Sequence, residues 1–354
     1  MLFIISWFAS IKIIYHNDQC QYVDNSSLSY INNSLLPNVE TIDSRLTLNH
    51  FTILGTHNSY HQRNLFFPYQ HSNLEVQLTT GTRQIELDIH LMPNNDVVYH
   101  LQLFDDKTNC YCLSDCLRRI FMWSKQNPRH YPIFLFMEVK QMFYEDLLTG
   151  LTGGVRCQHL ESIIKQILQL FSIDSFILPE QIQGNQSSIN LALKKQRQHQ
   201  LYAHYTYEDY GWPPLYVSLG KILPIFTNDE PNIIELISTC KPFSKFFFIL
   251  QTNLDLPYAS FISISNPLRD EQLMIQCANN GQITRVLLKY DGGQLIDNYR
   301  QAKQYGIHII STDSVQCSDT ELCQSIANDF QSYSPILCNT VTAPSFCNRT
   351  VLVV

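Results

Sequence analysis

The sequence predicts an α/β protein, a (β/α)8 TIM barrel with a disulfide-tied C-terminal strap. Three observations carry that expectation. From Phe51 onward, short apolar runs recur between longer stretches of mixed polarity, the pattern of strands joined by crossover helices. Eight runs have strand character: 51–55, 84–89, 96–100, 133–139, 221–226, 245–250, 284–289 and 307–311. Helical periodicity falls in 115–126, 158–171 and 294–305, where, for example, Ile163, Ile164, Ile167, Leu168 and Phe171 share one face. Eight strands alternating with helices suit a closed parallel barrel.

Taken in order, Met1 to Tyr15 is apolar, lacks a basic flank, carries Lys12 and is too short to span a bilayer. Residues 1–19 read as a signal peptide, with a buried first element as the alternative. Residues 20–49 are polar, rich in Asn and Ser, and read as an exposed lead-in to a catalytic domain over 50–316. The stretch 172–220 is rich in Gln and Asn and reads as a long loop with helical turns. Residues 317–354, with Cys317, Cys323, Cys338 and Cys347, read as the strap rather than a second domain.

The chain has 354 residues, 45% hydrophobic and 16% charged, which is ample for a core and too apolar for disorder. Its net charge of −7 has no basic run, which argues against nucleic acid as a partner. Eleven cysteines and the glycosylation sequons at Asn25, Asn32, Asn185 and Asn348 favour an oxidising compartment, hence a secreted or lumenal protein. Cys110, Cys112 and Cys116 allow a metal-binding reading, but no second Cys or His pair follows at zinc spacing.

The chemistry-bearing residues fall at strand ends, where a parallel barrel places its site. His57 and Asn58 follow the first strand, Glu86 and Asp88 close the second, His100 ends Val97-Val98-Tyr99, and Glu138 ends Phe134-Leu135-Phe136-Met137. Alternation puts Glu86 and Asp88 on one face and Ile85, Leu87 and Ile89 on the other. Two adjacent carboxylates repel unless a cation lies between them, and calcium takes such hard oxygen ligands. Each residue also has a plain structural reading: His57 as a cap or core histidine, Asn58 as a turn former, Glu138 and Lys140 as an ion pair. Jointly, three acids on apolar strands need partners, and the basic residues lie mostly in polar stretches.

These residues carry a resemblance. Gly55-Thr-His-Asn-Ser-Tyr-His61, Glu86-Leu-Asp88, His100 and Met137-Glu-Val-Lys140 resemble the catalytic region of phosphoinositide-specific phospholipases C. The small calcium-dependent, single-domain branch is the nearer match. It is suggested by Asp105 or Asp106 and Thr108 before Cys110, by Cys116-Leu117 and Trp123-Ser124 before Asn127-Pro128, and by Gly211-Trp212-Pro213. Ser311-Thr312-Asp313 and Cys338-Asn339 with Ala343-Pro344 complete it. Where that branch tends to carry an Arg-Thr-Arg-like strand end, this chain has Leu287-Leu288-Lys289.

The resemblance implies a PLC-like phosphodiesterase barrel in which Asn58, Glu86, Asp88 and Glu138 ligate Ca2+. It implies His57 and His100 as the catalytic histidines, His100 as general acid and His57 as transition-state stabiliser, with Glu86 or Glu138 as base. The implied reaction is attack of the inositol 2-hydroxyl on the phosphodiester, releasing diacylglycerol and a cyclic phosphate. Lys140 and Lys289 are candidates for head-group contact and Asp313 for lining the site. Leu65, Phe66 and Phe67, with Pro68 and Tyr69, form a candidate rim for peripheral membrane contact; the alternative places them in the core. No protein partner is implied. A glycerophosphodiesterase or sphingomyelinase-D-like barrel is the rival enzyme reading, and a non-catalytic extracellular lipid- or glycan-binding barrel the rival of another class.

Overall fold

Alternation along the strands decides which residues reach the barrel's interior. In the computed structural model, one sheet contains ten strands: β1 (Phe51–Thr56), β2 (Gln84–His90), β3 (Val97–Val98), β4 (Ile133–Val139), β5 (Ile222–Phe226), β6 (Phe248–Gln251), β7 (Phe261–Ile264), β8 (Ile283–Leu288), β9 (Ile309–Thr312) and β10 (Ile336–Cys338). The described residues are Cys20, 42–67, 69–92, 95–101, 104–140, 156–202, 205–228, 235, 239–289, 294–313, 320–330, 335–348 and Leu352. Eight strands are parallel and close in the order β1, β2, β4, β5, β6, β7, β8, β9 and back to β1. Helices between strands, among them Leu113–Gln126, Cys157–Leu170 and Leu295–Gln304, coat the outside, as the periodicity predicts. No described helix is long and apolar enough to cross a membrane.

The lower interior is filled by one apolar cluster that includes Phe51, Ile53, Phe134, Phe136, Leu223, Ile225, Phe248, Leu250, Phe261, Ile283 and Ile309. Each buried side chain of this size contributes about 1.5–3 kcal/mol. Residues of opposite parity, such as Ile85, Leu87, Ile89, Leu135 and Met137, face the helices and pack with Leu117, Ile120, Leu160 and Ile163. Continuing the inward series upward gives Glu86 and Asp88 on β2, Glu138 on β4 and Arg285 on β8. The apolar floor therefore positions a polar mouth.

Two expectations need correction. Residues 96–100 are not a barrel strand: β3 pairs antiparallel with β2, through Ile89–Val98 and His90–Val97. Six residues separate His90 from Val97, too short a link for a parallel crossover. The eighth barrel strand is instead β7, between β6 and β8. The end of the lead-in is not exposed: Ile42, Leu46, Thr47, Leu48, Asn49 and His50 are buried, with Ile42, Leu46 and Leu48 in the floor cluster. The signal-peptide reading and most of the lead-in lie outside the described residues.

Within 172–220 the helical turns resolve into Pro179–Gln183, Ile189–Gln200 and Leu215–Ser218. Disulfides join Cys20–Cys112, Cys110–Cys116, Cys157–Cys240 and Cys338–Cys347. Cys323 is also disulfide-bonded, and Cys277 is a buried free thiol. The C-terminal segment adds β10 antiparallel to the lower half of β1, Phe51 beside Cys338 and Ile53 beside Ile336, where β2 does not reach.

Candidate active site

The β2–β4 ladder sets Asp88 beside Glu138 and Glu86 beside Phe136. Carboxylate oxygens of Glu86, Asp88 and Glu138 lie within 4.8 Å of one another. Two cations reach them. Arg285 Nη2 is 2.7 Å from Glu86 Oε2 and donates to Ser311 Oγ at 3.2 Å. Lys140 Nζ is 2.6 Å from Glu138 Oε1 and 3.0 Å from Asp88 Oδ2. Arg285 is a partner that the sequence pattern alone does not single out. Its signal was available: a guanidinium inside the apolar run Ile283–Leu288 has to find an acid. Burial raises the pKa of Glu138, and Asp88 adds to the rise while Lys140 opposes it. Burial disfavours the Lys140 charge, but Asp88 and Glu138 more than offset it and the pKa is raised.

Both Asp88 oxygens are buried and accept no aligned hydrogen bond. An all-oxygen set with orphaned acceptors fits a hard divalent cation, calcium foremost. Glu86, Asp88 and Glu138 would hold it.

The turn after β1 carries Asn58, the fourth ligand that the resemblance implies, beside Ser59, which is bonded to Glu86. Gly55 is required at the β1–β2 seam, since a Cβ there would stand 1.9 Å from Gln84 Oε1. Asn58 adopts φ 46°, a left-handed conformation that asparagine tolerates better than most residues. It is buried, and its Nδ2 donates to the Tyr69 hydroxyl at 3.1 Å, which fixes the amide. Ser59 locks this turn to β2: its N donates to Glu86 O at 3.1 Å and its Oγ accepts from Glu86 N at 2.8 Å.

Both predicted histidines carry a carboxylate on Nδ1. His57 Nδ1 is 2.6 Å from Asp313 Oδ1, and His100 Nδ1 is 2.8 Å from Asp105 Oδ2. An ionised carboxylate only accepts, so Nδ1 carries the proton in each pair and Nε2 is left as the working nitrogen. Their side chains are 14% and 22% exposed, enough to meet a ligand at the mouth. Burial lowers the pKa of His100 against the opposing pull of Asp105 and Asp88. Asp105 is fully buried and also binds His61 Nε2 at 2.7 Å. His71 Nε2 donates to His57 O at 2.8 Å, holding the turn from below.

Asp105, His61 and Tyr69 were legible only as neighbours of the motifs, because spacing does not reveal which side chain braces which. Tyr69 stands among these groups, stacked on His61 with ring centroids 4.0 Å apart and bonded to Asn58.

The other predicted residues are placed as follows. Asp313 is engaged by His57 rather than open to the pocket. Lys289 is exposed and lines a cavity of about 330 Å³ with Ser263, Ser265, Asn266 and Arg285. Phe66 is exposed and Leu65 fully so, whereas Phe67 turns inward, its ring 5.5 Å from that of His100. Exposed Phe104 approaches Phe66 at 6.4 Å, so the apolar edge draws on two loops rather than the one the sequence indicated. Pro68 lies outside the described residues.

A parallel barrel whose mouth holds three clustered carboxylates and two carboxylate-braced histidines has the architecture of PLC-like phosphodiesterases. The chain belongs to the family described as phosphoinositide phospholipase C, Ca2+-dependent, whose profile matches residues 92–339. That match takes in His100, Asp105, Glu138, Lys140, Arg285 and Asp313; β1 and β2 with His57, Asn58, Glu86 and Asp88 precede it. No curated protein matches the chain. Among solved structures it is similar to a calcium-dependent phosphoinositol-specific phospholipase C from Pseudomonas sp, with 17% identity and TM-score 0.54 over 78% of this chain and 94% of that one. It is also similar to a Ca2+-dependent phosphatidylinositol-specific phospholipase C from Streptomyces antibioticus, with 15% identity and TM-score 0.54 over 76% of this chain and 95% of that one. At these identities the likeness shows the fold.

Proposed function

We propose that the protein is a calcium-dependent phospholipase C that cleaves phosphatidylinositol to diacylglycerol and inositol cyclic phosphate. The observation that carries this reading is the meeting of the Glu86, Asp88 and Glu138 oxygens within 4.8 Å at a mouth also lined by two imidazoles with carboxylates on Nδ1.

Asn58, Glu86, Asp88 and Glu138 would hold calcium, which when bound would supply Lewis acidity to lower the pKa of the attacking 2-hydroxyl and to screen the phosphoryl oxygens. The hydroxyl proton passes to a carboxylate of the cluster, Glu86 or Glu138. Glu86 Oε2 is engaged by Arg285 and Glu138 Oε1 by Lys140, so each keeps its other oxygen for the proton. The O2–P bond forms, the bond from phosphorus to the glycerol oxygen breaks, and His100, protonated on both nitrogens, gives its Nε2 proton to the departing oxygen. Burial, which lowers the pKa of His100, works against that doubly protonated form, and Asp105 and Asp88 work for it. His57, oriented by Asp313, donates from Nε2 to a phosphoryl oxygen when both of its nitrogens carry protons. Lys289 contacts the head group from the cavity it lines. Leu65, Phe66 and Phe104 dip into the membrane interface beside the mouth.

The disulfides and the exposed sequon asparagines Asn185 and Asn348 support a secreted or lumenal setting.

Turnover of phosphatidylinositol with calcium and with chelator tests the reading. Calcium-dependent release of inositol cyclic phosphate is expected. Cleavage of glycerophosphodiesters without a cyclic product would instead favour the glycerophosphodiesterase reading, and no turnover at all the binding-protein one.

A further inference from the structure

We propose that Lys140 is a built-in competitor for the calcium seat, so that the metal enters by displacing its ammonium group and binds more weakly than the carboxylates alone would allow. The proposal rests on the reading of Glu86, Asp88 and Glu138 as calcium ligands. Lys140 Nζ lies 2.6 Å from Glu138 Oε1 and 3.0 Å from Asp88 Oδ2, between two of the three acids. Calcium binds oxygen at roughly 2.3–2.6 Å, so an ion bonded to the same oxygens would need nearly the same place. Two cations sharing Asp88 and Glu138 would stand within about 5 Å in a poorly screened site, where like charges repel strongly.

The backbone keeps the ammonium group in range. Lys140 N donates to Ile89 O at 2.9 Å, and the β2–β4 register sets Glu138 beside Asp88. Lys140 follows Glu138 by two residues and points to the same side. Arg285 is in a different position: it binds Glu86 alone of the three acids and has a second partner in Ser311. A guanidinium so fixed stays, whereas a lysine on a flexible stem, 20% exposed at the mouth, can swing out. With both cations in place the three carboxylates keep one uncompensated negative charge, and the Asp88 oxygens still lack aligned donors. Lys140 therefore holds the acids together without satisfying them, as a placeholder must.

The test is calorimetric titration of the chelator-stripped full chain with Ca2+, alongside thermal unfolding in chelator and in calcium. Lys140→Met should bind Ca2+ about tenfold tighter or better, and Lys140→Arg should stay within about threefold of wild type. In chelator, Lys140→Met should melt below wild type, and calcium should raise its Tm by more than it raises the wild-type Tm. Lys140→Gln serves the same comparison if the methionine variant does not fold. Equal or weaker calcium binding on loss of the charge would overturn the proposal, as would no calcium binding in any form. A wild-type protein that binds calcium but leaves phosphatidylinositol intact would sink the phospholipase reading and leave the competition standing.

Discussion

The barrel holds two groups of histidines, one buried at its floor and one half-buried at its mouth. At the floor, His50 Nδ1 accepts from Thr47 N at 3.1 Å, while His308 accepts from Thr284 N at 3.1 Å and donates to Asn49 O at 3.0 Å. All these partners are neutral, and burial pushes the two rings down to about 3 and about 4. At the mouth, His57 and His100 each have a carboxylate on one nitrogen and partial exposure on the other side. Under the proposed function, the same side chain thus serves architecture or chemistry according to whether its partner carries charge and whether its second nitrogen can meet a ligand. His71 belongs by this criterion with the floor group although it sits near the mouth: it bonds a backbone oxygen, and burial lowers it to about 4.

The sharpest way to break this distinction is to truncate one ring from each group. His57→Ala and His100→Ala should each lower phosphatidylinositol cleavage by about 10²–10⁴-fold with little change in Tm. His308→Ala should instead cost about 2–3 kcal/mol of stability, read by denaturant unfolding, and leave turnover per folded molecule near wild type. If His308→Ala abolished turnover without unfolding, the two groups would not differ as described.

Next in size is the brace. Asp105→Asn removes the charge that orients His100 and should reduce turnover on the order of 100-fold while leaving calcium binding in place, measured by kinetics and calorimetry on one sample.

A smaller effect follows from pH. His50, His71, His130 and His308 have folded pKa values lowered to about 3, 4, 4 and 4 from the ordinary 6.5. Between those limits the unfolded chain binds more protons than the folded one, so stability rises with pH there. The contribution is present above about 6.5 and is lost as pH falls toward about 4. Melting temperature should drop steadily over that window, and a flat profile would mean that these rings are open to protons in the folded state.

The smallest effect concerns the edge of the mouth. Phe66→Ser with Phe104→Ser should slow hydrolysis of vesicle phosphatidylinositol several-fold and spare a soluble inositol phosphate ester; equal losses on both would remove the membrane role.

Most of the barrel was legible because strands buried on both faces read as apolar runs, and because charge at their ends stands out. Phe261–Ile264 escaped notice because it is short, interrupted by Ser263, and joined to β6 through residues 252–260 without a helix. Val97 and Val98 have strand composition, so only the length of their link to β2 betrays the antiparallel pairing. At the site, the candidate ligand residues stand out through motif spacing. Arg285, Asp105 and the Asp313–His57 pair do not, since their partners lie far off in sequence or across a loop, and only the closed barrel brings them together. The ion pair of Lys140 with Glu138 is one of two readings the sequence allows, but its position between two acids needs coordinates.

The pairing of β10 with β1 has a consequence for how the protein is made. Residues 51–53 leave the ribosome early, yet the strand that covers their edge, 336–338, emerges nearly three hundred residues later. Until then the first strand offers unpaired amides and carbonyls to any passing chain. Covering this edge of β1 accordingly waits until 336–338 have been made, well after the rest of the strand order is available. A message truncated before Ile336 would yield an aggregation-prone polypeptide even though every residue assigned to chemistry had already been translated.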